Sequence, residues 1–165
     1  MNDYPIRAGS ALFTLVDPTK GNEVEYNRWY ERDHFYAGCM VGPWLFAGKR
    51  WVATRAMKDL RFPADADAVA SPLDKGSYLA TYWVLEDHHD DHFSWAGDQV
   101  VWIYTNGRGF MEREHAHTVL VNKPEYHYRD EDPVPIELAF DHGYKGLAVV
   151  AVDPADGVSD DELGA

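Results

Sequence analysis

The chain has 165 residues, 28 acidic and 15 basic, which gives a formal net charge of −13 at pH 7. This charge would repel a phosphate backbone, and no stripe of Lys and Arg offsets it, so we expect no nucleic-acid partner. No run approaches the roughly 18 apolar residues that a membrane helix needs, and the N-terminus lacks the pattern of a signal peptide. We therefore expect a cytoplasmic protein without a membrane partner.

The aromatic content is high, at 14%, with six Trp and ten Tyr. So many rings require a large core, a partner surface or a ligand pocket to cover them. The single cysteine, Cys39, cannot form an internal disulfide. Its small neighbours favour a buried structural residue over a nucleophile.

The first third of the chain predicts a strand, a helix and a second strand. Residues 10–16 are apolar and β-prone and end at Asp-Pro. Asn22 has an acidic residue three positions later, which is typical of a helix start, and it opens a helix over about 23–36. A break begins at Gly38, and a strand is predicted over 44–55.

The remainder of residues 1–122 completes one α+β domain. After a surface loop over 56–76, residues 77–85 predict a third strand. Apolar residues at helical spacing predict a second helix from Asp87 to about Thr105, and residues 116–121 predict a fourth strand. The order β-α-β-β-α-β predicts a ferredoxin-like, four-stranded antiparallel sheet with both helices on one face.

Residues 123–165 predict an extended arm followed by an extra strand. Residues 145–157 echo residues 11–21, with Asp-Pro and Gly in matching places at a constant offset of 136 positions. We interpret this as the start of a second, truncated repeat whose helix would begin at Ser159. The alternative is chance similarity between two apolar strands.

The predicted first helix carries the best candidate chemistry. Tyr26, Tyr30 and His34 are spaced four residues apart and therefore share one face. Imidazole titrates near neutrality, so His34 could accept a proton from a substrate while a phenol holds the resulting enolate oxygen. The alternative is that the rings fill the core and His34 is an end group stabilised by the helix dipole. Asp33 points away from this face and is expected at the surface or paired with Arg32 or Arg28.

Three further patterns are weaker. His88 and His92 have a spacing that can share a metal, but they lie at a helix start, where the dipole alone favours such an acidic cluster, and we expect no metal site. His115 and His117 alternate along a strand and are expected to share one face, about 7 Å apart. The glycines of residues 105–109 favour a helix C-cap and turn over a phosphate loop.

Several motifs together resemble the dimeric α/β-barrel superfamily, and most closely its EthD-like proteins. They are the strand ending in Asp17-Pro18, the helix Tyr26-Asn27-Arg28-Trp29-Tyr30-Glu31-Arg32-Asp33-His34, and the strand with Lys49-Arg50-Trp51. The resemblance implies two ferredoxin-like units, from two chains or tandem repeats, packed sheet against sheet. It also implies a pocket between each sheet and its helices, as in cofactor-free polyketide cyclases, isomerases and small monooxygenases.

From this resemblance and the residue pattern we expect an enzyme without a cofactor that acts by proton transfer on a small aromatic or polyketide-like molecule. The expected catalytic residues are His34 and Tyr30, with substrate contacts from Tyr26, Phe13, Trp83 and His117. The expected protein partner is a second copy or a tandem-repeat domain. The alternative is a non-enzymatic dimeric module that binds a small molecule or serves as an accessory subunit.

Overall fold

The computed structural model describes residues 6–63, 69–122, 126–129, 131–139, 143, 145–152 and 155–158. Its elements in chain order are β1 (Ala8–Pro18), α1 (Glu23–Trp29), a π-helix (Tyr30–Met40), β2 (Leu45–Val52), α2 (Arg55–Lys58), β3 (Tyr78–Leu85), α3 (His89–Thr105), β4 (Arg113–Asn122) and α4 (Ile136–Ala139).

The four strands form one open antiparallel sheet in the order β2-β3-β1-β4. This confirms the predicted α+β class. β1 lies inside the sheet, between β3 and β4, and most of its side chains are buried or half-buried. β2 and β4 are the edge strands, and β4 has exposed side chains along most of its length.

Alternation along β1 and β3 separates two faces of the sheet. On the helix face, Leu12 pairs with Tyr82, and both pack in the core beneath the helices. The next residue, Phe13, pairs with Thr81 on the opposite side. The helix face comprises Ser10, Leu12, Thr14 and Val16 with Tyr78, Ala80, Tyr82 and Val84, and the far face comprises Ala11, Phe13 and Leu15 with Leu79, Thr81 and Trp83.

The core lies between the helix face and the first helical segment. Tyr26, Trp29 and Tyr30 pack there against the buried residues of β1 and β3. α3 adds Phe93 to this core, and its Ile103 is buried next to Gly38 of the π-helix. The abundant rings thus serve in part as ordinary core residues.

The first helix differs from the sequence prediction in both length and type. It does not end near residue 36 but changes at Tyr30 into a π-helix that continues through Gly38 to Met40. The amide of Val41 donates to the carbonyl of Tyr36, five residues earlier, as a π-helix requires. At Gly38 a side-chain carbon would lie 3.2 Å from Cδ1 of Ile103, closer than an ordinary contact, so the close packing of α3 favours glycine there.

The C-terminal region also differs from the prediction. The short helix α4 lies in the predicted arm, and residues 145–152 form no strand. Leu147, Val149, Val150 and Val152 are all exposed. A strand needs a hydrogen-bonded neighbour, and none pairs with this segment within the described chain. The helix predicted from Ser159 lies outside the described residues.

No helix in the described ranges combines the length and apolar character needed to cross a membrane.

Candidate functional site

The predicted row of two phenols and an imidazole is present on the helix face. The ring centroids of Tyr26 and Tyr30 are 5.5 Å apart, and those of Tyr30 and His34 are 5.0 Å apart in an edge-on arrangement. Tyr26 and Tyr30 are buried, with 1% and 3% of their surface exposed. Burial raises the pKa of Tyr26 to about 12 and also raises that of Tyr30, so both phenols are neutral at physiological pH.

The hydroxyl of Tyr30 is used within the core. It lies 2.7 Å from the hydroxyl of Tyr82 on β3. Tyr82 in turn interacts with the thiol of Cys39, whose pKa is raised to about 12 by burial. Cys39 is therefore a neutral buried thiol, as its small neighbours predict, and Tyr30 contacts His34 through its ring rather than through its hydroxyl.

Arg50 of β2 covers the two phenols from the side. Its guanidinium lies 4.1 Å from the centroid of the Tyr30 ring and 5.6 Å from that of Tyr26. It is held there by a hydrogen bond of 2.9 Å to the amide oxygen of Asn27 and by an ion pair with Glu31. A cation stacked on neutral rings in this way is attracted by their π faces.

His34 is packed but lacks a polar partner. Its ring stacks on Trp29 at 4.9 Å with an interplanar angle of 22°. Its buried Nδ1 has no hydrogen-bond partner among the described residues. A side-chain carbon at Gly38 would lie 3.4 Å from this Nδ1, so the glycine keeps the space beside it free.

The surroundings of His34 keep the imidazole neutral. Burial lowers its pKa to about 4, and the positive charges of Arg113 and Arg50 lower it in the same direction. The guanidinium of Arg113 lies 4.7 Å from the ring of Trp29, on which His34 stacks. An anion bound near these cations would offset their effect on the imidazole and make it a stronger base.

A polar cluster on the central and edge strands lies on the same face of the sheet. Thr14 Oγ1 lies 3.2 Å from Nδ1 of His115 and 3.0 Å from Oγ1 of Thr118. The pairing of β1 with β4 shifts between Leu15 and Val16. This bulge places His115 on the helix face and leaves His117 paired with Leu15 on the far face, so the expectation that the two histidines share one face is wrong.

The structure therefore divides the predicted site residues between the two faces. Tyr26, Tyr30 and His34 lie together on the helix face. On the far face, Phe13 and Trp83 are in edge-on contact at 5.9 Å, and His117 lies on the neighbouring strand. A pocket on the helix face can include the first group, whereas the second group lines the opposite surface of the sheet.

Asp33 is buried rather than at the surface, with 1% of its surface exposed. One of its oxygens accepts from Nε of Arg32 at 2.9 Å, and the other accepts from Nε of Arg108 at 2.8 Å. Burial would raise the pKa of this carboxyl, but the two arginines outweigh burial and hold it below its usual range. The pairing with Arg32 agrees with the sequence interpretation, whereas Arg108 is distant in sequence.

Together with its arginine partners, Asp33 lies beside a half-open groove of about 400 Å³. One wall is formed by the first helix, from Glu25 to Asp33. The other wall is the loop Gly107–Phe110 that follows α3. His34 is not among the residues lining this groove, because Trp29 lies between them.

The histidines at the start of α3 do not form a metal centre. Nδ1 of His88 lies 3.1 Å from a carboxylate oxygen of Asp91, while His92 is buried between Phe93 and Trp95. In the parts of the chain that are described, no three His, Cys, Asp or Glu side chains are grouped so as to hold a metal ion.

The sequence patterns did not identify the arginines that lie near His34 or in the groove beside Asp33. Arg50 had a usable signal, since it occupies an inward position of a strand whose helix face is otherwise apolar. Arg108 and Arg113 had none, because each reaches the first helix from a segment more than 70 residues away.

Comparisons with models of protein families, with curated proteins and with solved structures found no match for this chain.

Proposed function

We propose that this chain is an enzyme of the dimeric α/β-barrel type that transfers a proton to or from a small aromatic or polyketide-like molecule without a cofactor, with His34 as the base. One observation carries the proposal: a neutral, half-buried imidazole has a buried Nδ1 without a hydrogen-bond partner among the described residues. Buried polar atoms are normally satisfied, so an unsatisfied one at a candidate site needs a ligand or another explanation.

In the proposed step, a C–H bond next to a carbonyl, or a phenolic O–H bond, breaks, and its proton moves to a ring nitrogen of His34. The electron pair stays on the substrate as an enolate or phenolate, which Arg113 would stabilise through its charge. Tyr30 acts as a positioning residue, because its hydroxyl is engaged with Tyr82 and its ring contacts His34. Tyr26 packs against the ring of Tyr30 from the preceding turn of the helix.

The arrangement of elements supports the ferredoxin-like part of the proposal. Apart from the one-turn helix α2 between β2 and β3, the elements up to β4 follow the order β-α-β-β-α-β that the sequence predicts. The proposed pocket would then lie between the sheet and its helices, where His34 is found.

The test is hydrogen exchange at an activated carbon. Benzoylacetone, an aromatic 1,3-diketone, exchanges its central hydrogens in D₂O, and NMR measures the rate with and without protein. We expect the protein to accelerate exchange and His34→Phe, which keeps the stack on Trp29, to abolish the acceleration. His117→Phe, on the far face, is the matched control. No acceleration by the native chain, or equal acceleration by His34→Phe, would contradict the proposal.

The partner we propose is a second copy of this chain, and the far face supports this. Phe13, Trp51 and Trp83 are only half-buried there, and Val119 and Val121 on the adjoining edge strand are 39% and 41% exposed. Such an apolar surface favours association. This feature equally favours the second candidate function, a dimeric module that binds a small molecule without catalysis.

Measurement of the native mass tests the proposed dimer separately from the proposed catalytic step. The double substitution Val119→Lys and Val121→Lys should convert a dimer to a monomer without unfolding, since both side chains are already exposed. Val101→Lys, at an exposed position on α3, is the control. A native chain that is monomeric at every concentration would refute the dimer. A dimer that binds benzoylacetone but gives no exchange would favour the non-catalytic module.

A further inference from the structure

We propose that the groove between the first helix and the loop Gly107–Phe110 is a binding site for a small organic anion that carries a flat apolar ring, such as an aromatic carboxylate. The proposal goes beyond the proton-transfer function and does not depend on it. It rests on three guanidinium groups, a buried carboxylate that orients two of them, and aromatic side chains in the same walls.

The charge of the groove is unusual for this protein. The chain as a whole carries −13, yet Arg28, Arg32 and Arg108 converge on this groove. Against them stand Glu25 and Asp33, so the lining residues sum to +1. The arginines of this groove would therefore attract an anion locally, although the protein as a whole is acidic.

Two of the guanidinium groups are held in place by Asp33. Arg32 and Arg108 each donate to a different oxygen of this carboxylate, and each also contacts it through a second nitrogen. The arginine side chains are nevertheless 75% and 45% exposed. A guanidinium has five N–H donors, so those not used by Asp33 stay available to a ligand. Such pre-oriented forks suit the two oxygens of a carboxylate.

The loop that carries Arg108 is fixed by the end of α3. Gly107 has a positive φ of 67°, and the amides of Gly107 and Arg108 donate to the carbonyls of Tyr104 and Ile103. This is a Schellman motif, in which a left-handed glycine closes a helix. The carbonyl of Arg108 also accepts from Nε1 of Trp29 at 2.8 Å, so loop and helix are joined directly.

Arg28 and the aromatic walls complete the site. Arg28 is exposed and forms no ion pair with a described residue, unlike the other two arginines. Trp29 and Phe110, whose rings stack at 5.5 Å, both line the groove. A volume of about 400 Å³ falls within the usual range of small-molecule sites, about 300–1,000 Å³. A single-ring carboxylate therefore fits the size and the chemistry better than an inorganic ion.

The experiment is a titration of the full chain with benzoate, followed through the backbone amides of Gly107 and Gly109 by NMR. Benzamide, which is neutral and similar in shape, and inorganic phosphate are the comparison probes. We expect saturable shifts with benzoate, none with benzamide and weaker binding of phosphate. Absent shifts, equal binding of benzamide, or equal binding of phosphate would each overturn the proposal.

Substitutions of Arg28 and Glu25 should change the affinity for benzoate in opposite directions. Arg28→Gln should weaken benzoate binding about tenfold by removing a charged donor, while Glu25→Gln should strengthen it. Arg55→Gln, which removes an exposed arginine paired with Asp59 on α2, should leave it unchanged. Benzoate affinity that is insensitive to both Arg28 and Glu25 would refute the site. His34→Phe should bind benzoate normally, which separates this site from the proton-transfer proposal.

Discussion

Acidification should destabilise this protein in part through His34. The pKa of His34 is lowered to about 4 in the folded chain, from a reference value of 6.5. Between these values the unfolded chain binds a proton that the folded chain does not, so stability falls as pH falls. Above pH 6.5 both states are neutral and the effect vanishes.

The size of the effect follows from the two pKa values. From pH 7.5 to pH 5.5, the unfavourable contribution of His34 grows by about 1.3 kcal/mol, and its limit below pH 4 is about 3 kcal/mol. A pH of 5.5 is preferable for measurement because the isoelectric point is near 4.8, where solubility is lowest. The expected change corresponds to roughly a tenfold shift in the folding equilibrium at that pH.

The assay is urea unfolding of the native chain and of His34→Phe at pH 7.5 and 5.5. Phenylalanine keeps the contacts with Trp29 and Tyr30 but cannot titrate. Other groups, including the buried His92, whose pKa burial also lowers, act equally in both proteins and cancel in the comparison. The native chain should lose about 1.3 kcal/mol more than the variant. An equal pH dependence in both proteins would show that His34 is not desolvated, which would remove the basis for a neutral imidazole at the site.

The remaining predictions concern stability and can be measured by urea unfolding. Tyr82→Phe should cost about 1–3 kcal/mol because it leaves the buried hydroxyl of Tyr30 unpaired, and adding Tyr30→Phe should recover part of that loss; additive losses would show that the hydroxyls do not interact. Asp33→Asn should cost about 2 kcal/mol at pH 7. Because the pKa of Asp33 is lowered in the folded chain, this loss should shrink only as the pH falls below the ordinary carboxyl value of 3.8, and an unchanged midpoint would contradict its pairing. Gly76→Ala should cost more than about 1 kcal/mol, because φ is +75° and the new carbon would lie 2.1 Å from Leu15, whereas Gly97→Ala, in open space on α3, should not destabilise.

Most elements of the fold could be predicted because their signals are local. The strand predicted over 77–85 is Tyr78–Leu85, and the helix predicted to end near Thr105 ends there. In both cases turn or capping residues stand directly beside the apolar pattern, so no distant contact is needed to set the boundary.

Three departures from prediction involve contacts between residues that are distant in sequence. Asp33 could be expected at the surface because its partner Arg108 lies 75 residues away. The bulge that separates His115 from His117 arises in the pairing of β4 with β1, which no local pattern encodes. The π-helix likewise passes through Gly38, a residue that usually ends a helix, and Ile103 of α3, 65 residues away in sequence, lies beside this glycine.

The central strand β1 separates the proposed catalytic site on the helix face from the proposed dimer contact on the far face. β1 presents Thr14 to the helix face, where it contacts His115, and Phe13 to the far face, where it contacts Trp83. Neighbouring residues of one strand thus serve surfaces that do not share a pocket. A substitution that breaks a dimer at the edge of the far face should therefore leave exchange at His34 intact. If Val119→Lys with Val121→Lys abolished both association and exchange, the substrate site would have to include the partner, and Phe13, Trp83 and His117 would return as substrate contacts across the interface.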